Sequence, residues 1–139
     1  MSKKTFVIFG LLVVFLAVLI PWLVFRSDGD ASRGAQQVPA RLEGGQALFQ
    51  VNCGNCHALY AAGSDGNFAP DLDELLAPSG KPEGEGAQEQ IDGVRKRVLN
   101  AVENGADSTT TQGRMPPRIL SGEQAEQVAA FVAAAAGSN

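Results

Sequence analysis

The sequence predicts an all-α domain preceded by a single transmembrane helix. After residue 40, apolar residues recur at helical spacing, and no run shows the strict alternation of a half-buried strand. In the part of the chain before residue 40, residues 6–25 read FVIFGLLVVFLAVLIPWLVF and carry no charge. A run of about 20 apolar residues is what a helix needs to cross a bilayer core of roughly 30 Å.

The charges around the apolar run predict its direction in the cytoplasmic membrane. Lys3 and Lys4 precede the run, and Arg26 follows it. Because basic flanks stay in the cytoplasm, we expect the N-terminus inside and the rest of the chain on the periplasmic, extracytoplasmic side. A cleaved signal peptide is the alternative, although the run exceeds the roughly 7–15 apolar residues of a signal core. Both interpretations export the domain.

Composition divides the chain into three predicted parts. Residues 1–26 form the anchor, 27–40 a flexible linker with few large apolar side chains, and 41–139 the folded domain. The folded part holds seven Lys or Arg against thirteen Asp or Glu, a net charge of −6. This acidic balance argues against a nucleic-acid partner, since binding to phosphates requires a basic surface.

Four helices are predicted in the folded part, and most have a recognisable start or stop. Asp71 with Glu74, and Ser121 with Gln124, are spaced as capping boxes, and Gly105 is expected to supply a left-handed C-terminal cap. Their large apolar residues are few, so a small domain of this kind needs a further centre such as a cofactor. The predicted helices cover 42–52, 71–76, 88–104 and a C-terminal segment after Ser121.

The segment VNCGNCHALY holds both cysteines and the single histidine of the chain, as Cys53-x-x-Cys56-His57. A disulfide within C-x-x-C closes a very short loop and leaves His57 unexplained. A redox dithiol belongs to a βαβ unit, for which no strand is predicted. Structural zinc requires four ligands, and the chain has no further Cys or His.

Covalent attachment of haem c is the interpretation that uses all three residues, because C-x-x-C-H is its signature. Cys53, Cys56 and His57 stand at positions i, i+3 and i+4, so they share one face of a helical turn. The two thiols form thioethers with the haem, and His57 becomes an axial ligand of the iron. We therefore expect one covalent haem c, attached outside the cytoplasm where the apolar run directs the domain.

The second axial ligand is predicted to be Met115. No other histidine is present, and the remaining methionine is the initiator, Met1. Met115 lies in Gly113-Arg114-Met115-Pro116-Pro117, where two prolines stiffen the chain and help to hold a weak thioether ligand. The alternative is that Met115 merely fills the core.

These motifs resemble those of class I cytochromes c over residues 45–136. Gly45 and Phe49 resemble the first-helix pattern, in which glycine permits close crossing by the last helix, and Phe131 resembles its aromatic partner. Residues 67–72, Asn-Phe-Ala-Pro-Asp-Leu, resemble the family's Gly-Pro-x-Leu segment, with alanine in place of glycine. The resemblance implies that the Pro70 carbonyl accepts a hydrogen bond from the axial histidine, His57.

The resemblance also implies the class I cytochrome c fold, with three main helices and a short one around one haem. Tyr60, Arg114 and Arg118 are candidates to contact the haem propionates, and the alternative for each is an ordinary solvated side chain.

The function expected from these residues is electron transfer between membrane respiratory or photosynthetic complexes, one the donor and one the acceptor. Ligation by His57 and Met115 leaves no open iron position, so neither an enzyme activity nor a small-molecule substrate is expected. Two alternatives stay open. The chain is a haem subunit fixed within a larger oxidoreductase, or, if Met115 does not ligate, a haem enzyme or gas sensor.

Overall fold

A computed structural model describes residues 3–26, 34–107 and 113–139 of the chain. The chain divides into two compact units, Met1–Ala31 and Ser32–Asn139. The first unit contains one helix, and the second contains every candidate site residue.

The first unit is built on helix α1, Lys3–Arg26, which contains Pro21. Among the residues that the structure describes, no helix is both long and apolar enough to cross a membrane. The expected transmembrane anchor is therefore wrong. The single-pass location in the cytoplasmic membrane that was built on it is wrong as well.

The second unit contains four α-helices and four short strands among its described residues. In chain order the elements are α2 (Ala40–Asn52), β1 (His57–Leu59), a 3-10 helix (Tyr60–Ala62), β2 (Ser64–Asn67), α3 (Leu72–Leu76), α4 (Ala87–Asn104), β3 (Ala106–Asp107), β4 (Arg114–Met115) and α5 (Glu123–Ala135).

The core forms where α2 and α4 pack against α5. A Cβ added at Gly45 would collide with the backbone carbonyl of Gln127 and would lie 2.7 Å from the Phe131 Cβ, so only glycine permits this crossing. The rings of Phe49 and Phe131 are fully buried, with centroids 6.0 Å apart and planes tilted by 60°. Both expectations drawn from the first-helix pattern are confirmed.

The predicted helix boundaries agree with the structure to within two residues, but two of the predicted caps differ. The Asp71 side chain accepts hydrogen bonds from the backbone N–H groups of Asp73 and Glu74, which confirms the cap of α3. Helix α5 instead begins after Gly122, and no side chain caps it. Gly105 ends α4 as predicted, but its φ of 77° and ψ of 173° are not those of the left-handed cap that was expected.

Two antiparallel pairs of strands correct the all-α prediction. β1 pairs with β2, with an irregularity between His57 and Ala58, and β3 pairs with β4. Each strand has only two to four residues. Alternation of apolar and polar residues cannot show in so few positions, and Ser64–Asn67 is polar or glycine throughout.

Residues 34–39, the second half of the predicted linker, lie against the folded part of this unit. The Gln36 N–H donates to the Ala61 carbonyl at 3.1 Å, and the Gln46 side chain donates to the Gln36 carbonyl at 2.9 Å. Val38 packs against the core. Residues 27–33 of that predicted linker lie outside the described residues.

Candidate functional site

The cysteine motif forms one continuous turn at the end of α2. The Cys53 N–H donates to the Phe49 carbonyl at 2.8 Å, which continues the hydrogen bonding of the helix. The N–H groups of Cys56 and His57 then both donate to the Cys53 carbonyl, at 3.0 and 2.9 Å. These i→i+3 and i→i+4 bonds place the two cysteines and the histidine on a single turn, as their spacing predicts.

The two cysteines have free thiols in different environments. Cys53 is buried, whereas Cys56 is exposed. Burial, with a smaller contribution from neighbouring Cys56, raises the pKa of the Cys53 thiol from 9.0 to about 11. In the haem-free polypeptide Cys53 is therefore protonated at neutral pH and weakly nucleophilic.

His57 begins β1, and its ring is oriented by Pro70. Its Nδ1 lies 2.8 Å from the Pro70 carbonyl oxygen, the contact that the family resemblance implies. Since a carbonyl only accepts, Nδ1 carries the proton in this bond. The lone pair is then on Nε2, which leaves that nitrogen free to bind a metal.

The segment 64–70 holds this histidine by passing close beside the motif turn. The Ala69 N–H donates to the Cys56 carbonyl at 2.9 Å, and His57 pairs with Asn67 in the β1–β2 ladder. A Cβ added at Gly66 would lie 2.6 Å from the Cys56 carbonyl carbon and 2.7 Å from the His57 nitrogen. Glycine is therefore required at position 66 for the segment to approach this closely.

Met115 is half-buried in β4 and packs against the core. Its backbone pairs with Ala106 in β3. Gly105, with a φ of 77°, lies so close that an added Cβ would be 2.6 Å from the Met115 carbonyl oxygen and 3.1 Å from the Pro117 nitrogen. The C-terminal end of α4 thus supports the strand that carries the methionine.

A contact involving Phe68 brings the histidine and methionine segments together. Phe68 precedes Pro70 by two residues, and its Cε1 would lie 2.8 Å from a Cβ added at Gly113, two residues before Met115. Phe68 is nevertheless 64% exposed, and Val51, beside the cysteine turn, is 75% exposed. Apolar side chains left uncovered next to the motif are what a site for a large apolar cofactor presents.

The three candidate propionate contacts lie at different places around this site. Tyr60 opens the 3-10 helix and has an exposed side chain. Arg114 forms an exposed ion pair with Asp107, with Nε 3.1 Å from Oδ1. Arg118 is exposed, has a positive φ of 57°, and donates its backbone N–H to the Val102 carbonyl at 2.9 Å.

Three polar residues that sequence reasoning missed hold the segment after His57. The side chains of Gln46 and Gln50, one turn apart on α2, donate to the carbonyls of Ala61 and Ala62 at 2.8 and 3.0 Å. Asp73 is buried and accepts a hydrogen bond from the Tyr60 N–H. Only Asp73 has a signal in the sequence, because its position places it on the same face of α3 as apolar Leu76.

A sequence model of the cytochrome c family matches residues 42–136. The chain belongs to the cytochrome c family. Family membership establishes that it carries covalently bound haem c and that it is an electron carrier rather than an enzyme. The residues present fit that cofactor, since two free thiols and an imidazole with Nε2 available share one turn.

One curated relative of this cytochrome is the cbb3-type cytochrome c oxidase subunit FixP of Sinorhizobium medicae (strain WSM419). The two sequences are 35% identical over 91 residues, which is 63% of this chain and 28% of the relative. The chain thus spans little more than a quarter of that protein's length. The likeness supports haem-based electron transfer in this cytochrome.

Proposed function

We propose that this cytochrome transfers single electrons through one haem attached by Cys53 and Cys56 and ligated by His57 and Met115. The observation that carries the proposal is the 2.8 Å contact from His57 Nδ1 to the Pro70 carbonyl oxygen, which presents Nε2 for ligation. The closeness of Phe68 to Gly113 supports Met115 as the second ligand. Phe68 lies two residues before Pro70, which contacts His57, and Gly113 lies two residues before Met115.

Two protein ligands suit an electron carrier because they leave no iron position open to a substrate. The haem supplies a reversible change between ferric and ferrous iron. Thioether ligation by methionine favours a high reduction potential. The protein's part is to keep both ligand segments in place during this change. The hydrogen bonds around His57 and the proline-flanked strand at Met115 serve that purpose.

The partners that we propose are redox protein complexes, one as electron donor and one as acceptor. The relative is named as a subunit of a cbb3-type oxidase, which favours a relay within a larger respiratory oxidoreductase. A mobile carrier between respiratory or photosynthetic complexes is the second candidate. Native gel electrophoresis after gentle extraction, followed by haem staining, separates the two. Haem that always migrates with a large complex supports the relay, and haem that migrates alone supports the mobile carrier.

The propionate contacts also remain part of the proposal. Tyr60 and Arg118 have exposed side chains that are free to turn toward a carboxylate. Arg114 would exchange its exposed partner Asp107 for a propionate, which costs little because exposed ion pairs contribute only about 0–1 kcal/mol.

The optical spectrum of the purified holoprotein tests Met115. We expect a low-spin ferric spectrum with the methionine–iron charge-transfer band. Met115→Leu keeps the apolar volume and removes the thioether, whereas Met115→Ala removes both. If Met115 is a ligand, both variants lose the band and have a lower reduction potential. A wild-type spectrum in Met115→Leu, or a high-spin spectrum in the unmodified protein, would contradict the ligation.

The attachment residues are tested by changing Cys53 and Cys56 to alanine together. The double variant is expected to lose all covalent haem, measured as haem staining of the denatured polypeptide and as intact mass. Each single variant retains one thiol and is the matched control, expected to keep a single thioether. Covalent haem on the double variant would refute the assignment.

A further inference from the structure

Asp73 is a buried carboxylate that binds two separate parts of the domain. It is 4% exposed. Its Oδ2 accepts a hydrogen bond from the Tyr60 N–H at 2.8 Å, and its Oδ1 accepts one from the Gly137 N–H at 2.7 Å. Tyr60 lies just after the cysteine motif and Gly137 just after α5, so one side chain of α3 joins both. Burial of a carboxylate is costly unless its oxygens are hydrogen-bonded, as they are here.

The hydrogen bond to Tyr60 completes a closed ring of covalent and hydrogen bonds, and the axial histidine is part of that ring. One side of the ring is the chain from His57 to Tyr60, and the other is the chain from Pro70 to Asp73. Two hydrogen bonds join the sides, His57 Nδ1–H to the Pro70 carbonyl at 2.8 Å and Tyr60 N–H to Asp73 Oδ2 at 2.8 Å. The second bond therefore restrains α3, and with it the segment that begins at Pro70, relative to the histidine.

We propose that Asp73 is a positioning residue for His57 and that it keeps the reduction potential lower than it would otherwise be. This inference rests on the proposed function, in which His57 binds the iron. A firmly held Pro70 carbonyl strengthens the Nδ1–H bond and makes the imidazole a more basic ligand, which favours ferric iron. The buried carboxylate of Asp73, bonded to the Tyr60 N–H three residues after His57, would act in the same direction, because a negative charge stabilises the more positive oxidation state of the iron.

The bond to Gly137 has a separate role, since it fixes the end of α5 to α3. The Lys81 N–H also donates to the Gly137 carbonyl at 3.0 Å, so this glycine is held from both sides. Its position has no room for a side chain, as an added Cβ would lie 2.6 Å from the Gly80 carbonyl carbon. Because the two bonds of Asp73 use different oxygens and different backbone N–H donors, the anchoring of α5 and the positioning of His57 have separate readouts.

The test compares Asp73→Asn with Glu74→Gln in the holoprotein. Asparagine has nearly the same shape, but it has no charge and its amide NH₂ cannot accept the second N–H bond. We expect Asp73→Asn to keep covalent haem and the methionine–iron band, to raise the reduction potential, and to weaken the His57 Nδ1–H hydrogen bond. The bond is measured by the NMR shift and the solvent exchange of that proton. Glu74 is exposed on the same helix, so Glu74→Gln removes the same charge and should leave both readouts unchanged.

A folded Asp73→Asn variant with wild-type potential and wild-type Nδ1–H resonance would overturn the proposal and leave Asp73 as an anchor of α5 alone. If the variant does not retain haem, native-state hydrogen exchange of the wild-type protein decides. Protons of one cooperative unit exchange with the same free energy of opening. We expect the Tyr60 N–H and the His57 Nδ1–H to do so. If the His57 Nδ1–H exchanged while the Tyr60 N–H stayed protected, the two hydrogen bonds would open independently, and the proposal would be overturned.

The wild-type NMR spectrum separates this proposal from the one on which it rests. A paramagnetically shifted His57 ring shows that the histidine binds the iron. Without that shift the proposed function fails first, whatever the Asp73 variant does. With the shift, the comparison of the variants, or hydrogen exchange of the wild-type protein if the variant loses haem, tests the role of Asp73.

Discussion

The two segments that bring candidate ligands to the haem are built very differently. His57 lies in a turn with bonds to Cys53, to Pro70 and to the partner strand β2, and Asp73 braces the same segment. Met115 lies on a strand of two residues, paired with an equally short strand. The ion pair beside it, between Arg114 and Asp107, is exposed.

The difference indicates that the segment that carries His57 (the histidine side) and the segment that carries Met115 (the methionine side) have different roles. The histidine side combines the two proposed attachment cysteines with backbone hydrogen bonds and a buried carboxylate, so several independent interactions fix its geometry. The methionine side depends chiefly on close packing of Gly105 against the backbone of Met115 and Pro117. Changes on the histidine side should therefore disturb haem attachment and folding, whereas changes on the methionine side should alter ligation and leave the haem attached.

The largest effect is expected from Gly66→Ala, which affects the histidine side. The added methyl group would overlap the backbone of Cys56 and His57, and neither neighbour is a flexible side-chain end. Overpacking of this kind costs about 1–3 kcal/mol. We expect a lower melting temperature and less covalent haem per polypeptide, measured by thermal unfolding and by haem staining.

The control for that change is Asp65→Ala, at the exposed neighbouring position of β2. It alters the same strand without adding an atom near the motif. An equal loss of haem in both variants would show that the strand tolerates no change at all, and that close approach at Gly66 is not the reason.

An intermediate effect is expected from Gly105→Ala on the methionine side. The backbone there has φ 77° and ψ 173°, a conformation nearly exclusive to glycine, which strains another residue by about 1–3 kcal/mol. The new Cβ would also press on the Met115 carbonyl oxygen. We expect covalent haem to be retained, with a weaker methionine–iron band and faster replacement of the methionine by added imidazole.

Gly93→Ala is the matched control on the same helix, because a Cβ at position 93 meets nothing within 4 Å. Alanine in a helix is favoured over glycine by roughly 1 kcal/mol, so this variant should be slightly more stable with an unchanged spectrum. If the two glycine variants bind imidazole at the same rate, packing at Gly105 does not hold Met115.

The smallest effect is expected from Asp107→Asn, which breaks the ion pair with Arg114. Both side chains are largely exposed, 73% for Arg114 and 78% for Asp107, so the pair contributes at most about 1 kcal/mol and is screened by salt. Unfolding by denaturant should show a change near the error of the measurement. A loss of several kcal/mol would mean that the methionine side is braced as firmly as the histidine side.

Sequence reasoning succeeded where the relevant interactions are local. The spacing of Cys53, Cys56 and His57 places them on one turn because helical hydrogen bonds join residues three and four apart, and the structure has those bonds. Periodicity likewise located α2, α4 and α5 to within a few residues. Periodicity failed for the short strands, which have too few residues to show a period. The length of the apolar run, residues 6–25, predicted a membrane span that the structure does not support.

The sequence by itself determined the cofactor, since one five-residue motif contains both thiols and the histidine of the haem c signature. The family resemblance implied the hydrogen bond from His57 to the Pro70 carbonyl, and the tertiary structure alone showed that Asp73 braces the segment after the histidine. The Pro70 carbonyl and Asp73 reach the motif segment from 13 residues away, and Asp73 reaches Gly137 from 64 residues away. Contacts over such separations depend on how the whole chain packs. Periodicity places Asp73 on the face of α3 that carries Leu76, but it does not reveal that both carboxylate oxygens are hydrogen-bonded to distant backbone groups.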